Sequence, residues 1–140
     1  LELGWACDLH ELGLMVSHHD HHRHSAYLLA HVDAPGFSQS QQRQIGELVL
    51  GQRGGLRKIE ASLASEPFAW QVLCLRLAVI KCHPRAPVST TALTLRPRGL
   101  GAQVDFSADW AAAHPRTHFL LREEAEAWKR GGSLQLELRR

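Results

Sequence analysis

Apolar positions along the chain follow two rhythms, a period near 3.6 over the first part and a period near 2 in the last third. Trp5, Leu9 and Leu12 keep i, i+4, i+7 spacing and predict a first helix, which Gly13 and the polar run from Ser17 to His22 bring to an end. A second helical pattern passes through Ala26, Leu29 and Ala30 and stops at Asp33-Ala34-Pro35-Gly36, a tight-turn sequence. Ser38 with Gln41 three residues later has capping-box spacing, so a third helix starts there, buries Ile45, Leu48 and Val49 and ends at Gly54-Gly55. A short amphipathic segment with Leu56, Ile59 and Leu63 leads to Ser65 and Pro67, which predict the start of a fourth helix. Its stripe of Phe68, Val72, Leu75, Val79 and Cys82, flanked by Leu73, Leu77 and Ile80, suits the central helix of an all-α core.

Pro84 and Pro87 cannot continue that helix and predict a linker over residues 84–89. Beyond it Thr91, Leu93 and Leu95 alternate with polar neighbours, Pro97 to Gly101 turns the chain, and Ala102, Val104 and Phe106 alternate in reply, as in a β-hairpin. A short helix from Ala108 to Ala113 is broken at Pro115. A strand with Thr117, Phe119 and Leu121, a helix from Glu123 to Arg130 and a last strand with Leu134, Leu136 and Leu138 follow. The predicted fold class is therefore mainly α with an α+β tail: a helical unit over residues 1–83, the linker, and a small ββαβαβ unit over residues 90–140.

Composition narrows the function classes. A 140-residue chain has room for one core with a small appendage. Its 44% hydrophobic and 21% charged residues are ordinary for a soluble protein, and no apolar run nears the ~20 residues of a membrane helix. The net charge of +2 is too small to point to nucleic acid. No acidic residue lies between Glu66 and Asp105, where Arg76, Lys81, Arg85, Arg96 and Arg98 all fall. Such an interval suits a polyanion surface or a solvated face, and charge alone favours the second. Cys7, Cys74 and Cys82 are odd in number, widely spaced and set in apolar helical patterns. They predict buried, reduced thiols, and the spacing of Cys74 and Cys82 fits no common zinc set. The chain enters its helical pattern from Leu1 with neither initiator Met nor signal peptide, as expected of a piece of a longer cytoplasmic protein, including one at the membrane periphery.

Seven of the ten histidines lie between Leu9 and Val32: His10, His18, His19, His21, His22, His24 and His31. Imidazole binds metals, exchanges protons near neutrality and, when charged, holds anions, so this stretch is where the sequence proposes chemistry. Phosphate-loop, nucleophile-elbow and HExxH patterns are absent. His18 and His22 are four apart and would share one face if the run were helical. His10 and His31 are expected as hydrogen-bonded helix residues, and His19 and His21 as solvent-exposed.

Leu9, His10, Glu11, Gly13, Leu14, His18, His22, His24, Ser25, Ala26, Tyr27, Asp33, Pro35, Gly36 and Phe37 together form a pattern that resembles the helical C-terminal region of the exopolyphosphatase and guanosine pentaphosphatase (Ppx/GppA) family. The likeness continues through Leu75 to Val79, Arg85, Thr94, Leu95, Phe106, Asp109 and Trp110 and covers essentially the whole chain. The resemblance implies an HD-like helical domain followed by a small α+β domain. It also implies that the N-terminal catalytic domains of the same protein, with magnesium, hydrolyse the terminal phosphate of polyphosphate or guanosine pentaphosphate. This region would then carry no catalytic residue and no cofactor and would be inactive alone, binding the anionic substrate and contributing to a homodimer.

HD phosphohydrolases use a His-Asp doublet, and His10-Glu11 stands in its place here, so a lost metal site is expected; any metal would fall to His10, Glu11 and His18. The candidates for polyphosphate binding are His18, His22, Arg23, His24, Arg53, Arg57, Lys58, Arg76 and Arg85. The pattern departs from the family at Val49 to Gly54, where a valine-Arg-x-His-Arg-basic run is reduced to the single cation Arg53. The alternatives are an active HD-like metal-dependent phosphohydrolase built on His10 and Glu11, and a structural domain whose histidines are merely solvated.

Overall fold

The computed structural model describes residues 1–85 and 91–140. Among the described residues six α-helices come in the order α1 (Glu2–Leu9), α2 (His21–His31), α3 (Gln39–Leu50), α4 (Glu66–Lys81), α5 (Ala108–Ala113) and α6 (Pro115–Gly131). Three strands, β1 (Thr94–Arg98), β2 (Gly101–Asp105) and β3 (Gln135–Arg139), form one sheet in that order. Single 3-10 turns at Leu12–Met15, Arg57–Ile59 and Ser62–Ala64 join the helices. From residue 86 on, the linker expected over 84–89 lies outside the described residues. No helix among the described residues is long and apolar enough to cross a membrane.

Local chemistry sets the helix boundaries. The Ser38 hydroxyl accepts from the Gln41 amide at 3.1 Å while the Gln41 side chain accepts from the Ser38 amide at 2.9 Å, which completes the expected capping box of α3. Gln42 Nε2 donates to the carbonyls of Leu29 and Val32, tying the end of α2 to α3. Gly36 makes the turn between them at φ +93, a conformation that disfavours any side chain. α3 ends three residues earlier than Gly54 implies, at Leu50, with Gly51 as its C-cap at a position where a Cβ would overlap the Ile59 side chain.

One cluster of buried side chains takes in Ala6 of α1, Leu29 of α2, Ile45 and Leu48 of α3, and Val72 and Leu73 of α4. The same cluster includes Val104, Phe106, Trp128 and Leu136 from the C-terminal segment. Leu56, Ile59 and Leu63 are buried as their spacing predicts. The N-terminal half of α4 is central, but Val79 is only half-buried and Cys82 is exposed. Cys7 is exposed as well and Cys74 half-buried, which corrects the expectation of three buried thiols.

The tail is ββααβ, with the strand expected at Thr117 to Leu121 lying inside α6. Thr117, Leu121, Glu124 and Trp128 are the buried positions of that helix, at spacings of four, three and four, and Phe119 faces outward. The short alternation was part of a longer helical stripe, and Pro115 opens the helix at a position where its missing N–H costs nothing. β1 pairs antiparallel with β2 through a turn at Gly99-Leu100, and β3 adds to β2 in parallel, with α5 and α6 as the crossover.

Four cations of the acid-free interval meet acids from elsewhere in the chain. Arg76 pairs with Glu124, Arg85 with Glu11, Arg96 with Asp105 and Arg98 with Glu137. The Arg76 pair is the buried one, with both side chains about 5% exposed or less. Arg76 Nε and Nη2 donate to the two Glu124 oxygens at 2.6 and 2.9 Å, Nη1 to the Gly51 carbonyl at 2.9 Å and Nη2 to the Gly54 carbonyl at 2.8 Å. Trp128 Nε1 adds a third bond to Glu124 at 2.7 Å.

Arg76→Met is expected to lower stability by about 3–5 kcal/mol, since it strands a buried carboxylate and two carbonyls. In urea denaturation the double variant Arg76→Met, Glu124→Leu should recover most of that loss, because it removes both charges.

Candidate functional site

The first turn of α2 and the segment from Gly51 to Glu60 come together beside the turn that follows α1. A polar latch fixes their positions. The Gly13 amide donates to Ser25 Oγ at 2.6 Å, Ser25 Oγ donates to the His10 carbonyl at 3.2 Å, and Gln52 Nε2 donates to the same carbonyl at 2.6 Å. Gly13 sits so close to the His21 carbonyl and the Ser25 backbone that a Cβ would overlap them. Three residues of the Leu9–Phe37 pattern, His10, Gly13 and Ser25, thus orient α2.

α2 begins against its own dipole. Its first turn is His21, His22, Arg23 and His24, with no acid, and Asp20 at its N-cap adopts a left-handed conformation whose side chain makes no capping bond. The N-terminal end of a helix carries partial positive charge and ordinarily attracts acids. Opposite lie Arg53 and Lys58, with Lys58 Nζ donating to the Arg53 carbonyl at 2.6 Å. Among the described residues neither Arg23 nor Arg53 has a carboxylate partner.

These charges press on one another. Burial, then Lys58 and Arg53, bring His22 down to about 4. Burial, then Arg76, Arg23 and Arg53, bring Lys58 down to about 8. His21 is lowered by burial first and Arg53 second. The carboxylates that oppose these shifts are engaged elsewhere: Asp20 lies 3.4 Å from His19 Nε2, and Glu11 pairs with Arg85. His21 Nδ1, His22 Nδ1 and Gln52 Oε1 are buried without a hydrogen-bond partner among the described residues. Fixed cations gathered at a helix N-terminus are suited to an anion with several oxygens, such as a phosphate.

Of the residues that the sequence nominated, His22, Arg23, Arg53 and Lys58 converge here. His18 is exposed on the approach, its ring centroid 6.2 Å from that of His21, and His24 is half-buried on the same helix. Three others do not join them. Arg76 lies behind the site as a buried brace rather than a surface cation, Arg85 is held by Glu11, and Arg57 lines a separate depression with Glu60 and Arg130. Sequence reasoning missed His21, expected in solvent but 8% exposed, and Gln52, which is 2% exposed. The signal for His21 was its four-residue step to Ser25 and Leu29, the buried stripe of α2.

His10, Glu11 and His18, the residues to which a metal would fall, are each placed differently. His10 Nδ1 bonds the Cys7 carbonyl at 2.6 Å, its Nε2 is 4.0 Å from a Glu11 carboxylate already paired with Arg85, and His18 stands apart on the loop. Among the described residues no three His, Cys, Asp or Glu side chains are grouped to hold a cation. Three cations beside His22 would repel one further.

Residues 2–125 match the family described as Ppx/GppA phosphatase, domain III. The chain is 34% identical over 123 residues to the guanosine-5'-triphosphate,3'-diphosphate pyrophosphatase of Pseudoalteromonas translucida (strain TAC 125). It is 34% identical over 119 residues to the protein of the same name from Vibrio vulnificus (strain YJ016). Each comparison covers 84% of this chain and 24% of the relative, so the chain spans about a quarter of the length of the curated proteins that it matches.

Two outcomes follow for stability. The depressed His22 is neutral in the folded protein and charged in the unfolded one between about 4 and 6.5, so stability should fall as pH drops through that window and be unaffected by His22 above it. Denaturation midpoints across that range should flatten in His22→Leu relative to the parent. Ser25→Ala, which strands the buried Gly13 amide, should cost about 1–3 kcal/mol by the same measurement at neutral pH.

Proposed function

Because the chain belongs to the Ppx/GppA phosphatase family and matches its domain III, we propose that it is the C-terminal substrate-binding region of a hydrolase of guanosine-5'-triphosphate,3'-diphosphate or polyphosphate. The observation that supports this most is the acid-free first turn of α2 facing Arg53 and Lys58, an arrangement that is repulsive when empty and favourable around a polyanion. Arg23, Arg53 and Lys58 hold the phosphate oxygens, with His18 and His24 flanking. Guanidinium and ammonium donors supply charge-assisted hydrogen bonds for this task. Hydrolysis and the magnesium that accompanies it belong to other domains of the enzyme, and this chain alone binds without turnover.

The helical part is read as an HD-like domain adapted to anion binding, with Glu11 diverted to Arg85. We also assign it a part in homodimerisation in the cytoplasm, which the exposed apolar run Leu14, Met15 and Val16 supports.

Calorimetric titration with linear polyphosphate and with guanosine-5'-triphosphate,3'-diphosphate tests the reading. Binding without phosphate release is expected, weakening as salt is raised because exposed charges are screened. Arg53→Gln with Lys58→Met should weaken it by about tenfold or more, the equivalent of one lost charged hydrogen bond at least. Absence of binding at low salt, or full affinity in the double variant, overturns it.

A further inference from the structure

Two side chains on which the cations of the proposed anion site act are histidines whose chemistry the fold has already restricted. His21 and His22 are 8% and 7% exposed, and their ring centroids lie 6.3 Å apart, nearly perpendicular. In each ring Nδ1 is the buried, unpartnered nitrogen, whereas Nε2 has no partner among the described residues and is not enclosed. A neutral imidazole must place its one proton on one nitrogen. Placed on Nδ1, it would be a donor with no acceptor in a low-dielectric site, at a cost comparable to a lost hydrogen bond. Placed on Nε2, it lies on the edge of the ring that is not enclosed, and Nδ1 keeps only an idle lone pair.

Charging the ring restores the stranded Nδ1–H, so burial opposes the imidazolium here. The surrounding charges act the same way. His22 faces Lys58 and Arg53 from the segment after α3, Arg23 from its own helix, and Asp20 at the N-cap. His21 faces Arg53, His18, His10 and Glu11. Fixed cations outnumber carboxylates around His22, and the carboxylate that acts on His21, Glu11, is paired with Arg85.

We infer that His21 and His22 are phosphate-binding residues held as neutral Nε2–H tautomers, donating to the oxygens of a bound phosphate chain while Arg53, Lys58 and Arg23 supply all of the positive charge. This rests on the anion-site reading above and adds to it two donors and the protonation state in which they work. An ordinary histidine anion site gains affinity as pH falls through the range where imidazole charges. Here the His22 contribution persists as pH falls until it nears about 4, His21 is shifted in the same direction, and titration of the ligand itself and of Lys58 shifts affinity.

The test is nitrogen-15 NMR of the histidine-labelled chain, free and with tripolyphosphate, at two pH values on either side of 6.5. The expected result is the neutral Nε2–H signature for both residues in all four samples, with their Nε2 resonances moving on addition of tripolyphosphate. An Nδ1–H signature, as would arise if Nδ1 reached Gln52 Oε1, or an imidazolium signature with ligand bound, overturns the inference while leaving the anion site standing. Absence of tripolyphosphate binding in the same titration overturns both.

A variant pair separates donation from packing. His22→Gln places an N–H near the Nε2 position and should bind within about threefold of the parent, whereas His22→Leu fills the space without a donor and should bind about tenfold more weakly. Equal affinity of the two variants would show that the His22 ring only packs.

Discussion

The buried Arg76–Glu124 pair is the constraint on which the remaining architecture depends. Its guanidinium ties together α4, α6 and the carbonyls of Gly51 and Gly54, and its carboxylate also receives the Trp128 indole. A buried ion pair is a poor source of net stability compared with apolar packing, but it is directional. Here it sets the path of the chain between Gly51 and Gly54, and Arg53 stands between those two residues. The exposure of Arg53 and the position of Lys58, whose ammonium reaches the Arg53 carbonyl, follow from where Arg76 holds the backbone. A core interaction and a surface site therefore share one side chain.

That sharing has an electrostatic side. Arg76 is the largest of the charges that depress Lys58, so the brace beneath the site also raises the potential within it. With α2 starting on basic residues and Asp20 failing to cap it, the region concentrates like charges where most folds would disperse them. The cost is tolerable because the latch through Gly13, Ser25 and Gln52 and the core contact of Leu29 hold α2 in place independently of its first turn. On the proposed reading, the free energy released when an anion enters is in this sense stored in the arrangement of the empty protein.

Much of the fold was legible wherever one local rule decided an element. The capping box at Ser38, the Asp33–Gly36 turn, the buried Leu56, Ile59 and Leu63 and the β1–β2 pairing all rest on neighbours in sequence. The strand expected at Thr117 failed because three alternating residues cannot distinguish a period of 2 from part of a period of 3.6, and only Glu124 and Trp128 further on resolve it. The burial of Glu124 was itself illegible, since its partner lies 48 residues away. For the same reason the pairing of the acid-free interval was illegible: Arg76, Arg85, Arg96 and Arg98 lack acids nearby in sequence but not in space. Within the site, Arg23, Arg53 and Lys58 could be nominated as charges, whereas which histidines are buried depended on the phase of α2, hidden in a run where nearly every residue is polar.

The parallel pairing of β2 with β3 has a consequence for how the protein assembles. The antiparallel β1–β2 hairpin needs only a short turn and can close early, but β3 reaches β2 only after α5 and α6 have been laid down between them. α6 in turn docks through Glu124 onto an Arg76 that is already committed to the loop after α3. Closure of the sheet by β3 is thus contingent on the docking of α6, which couples the strand pairing to the buried ion pair.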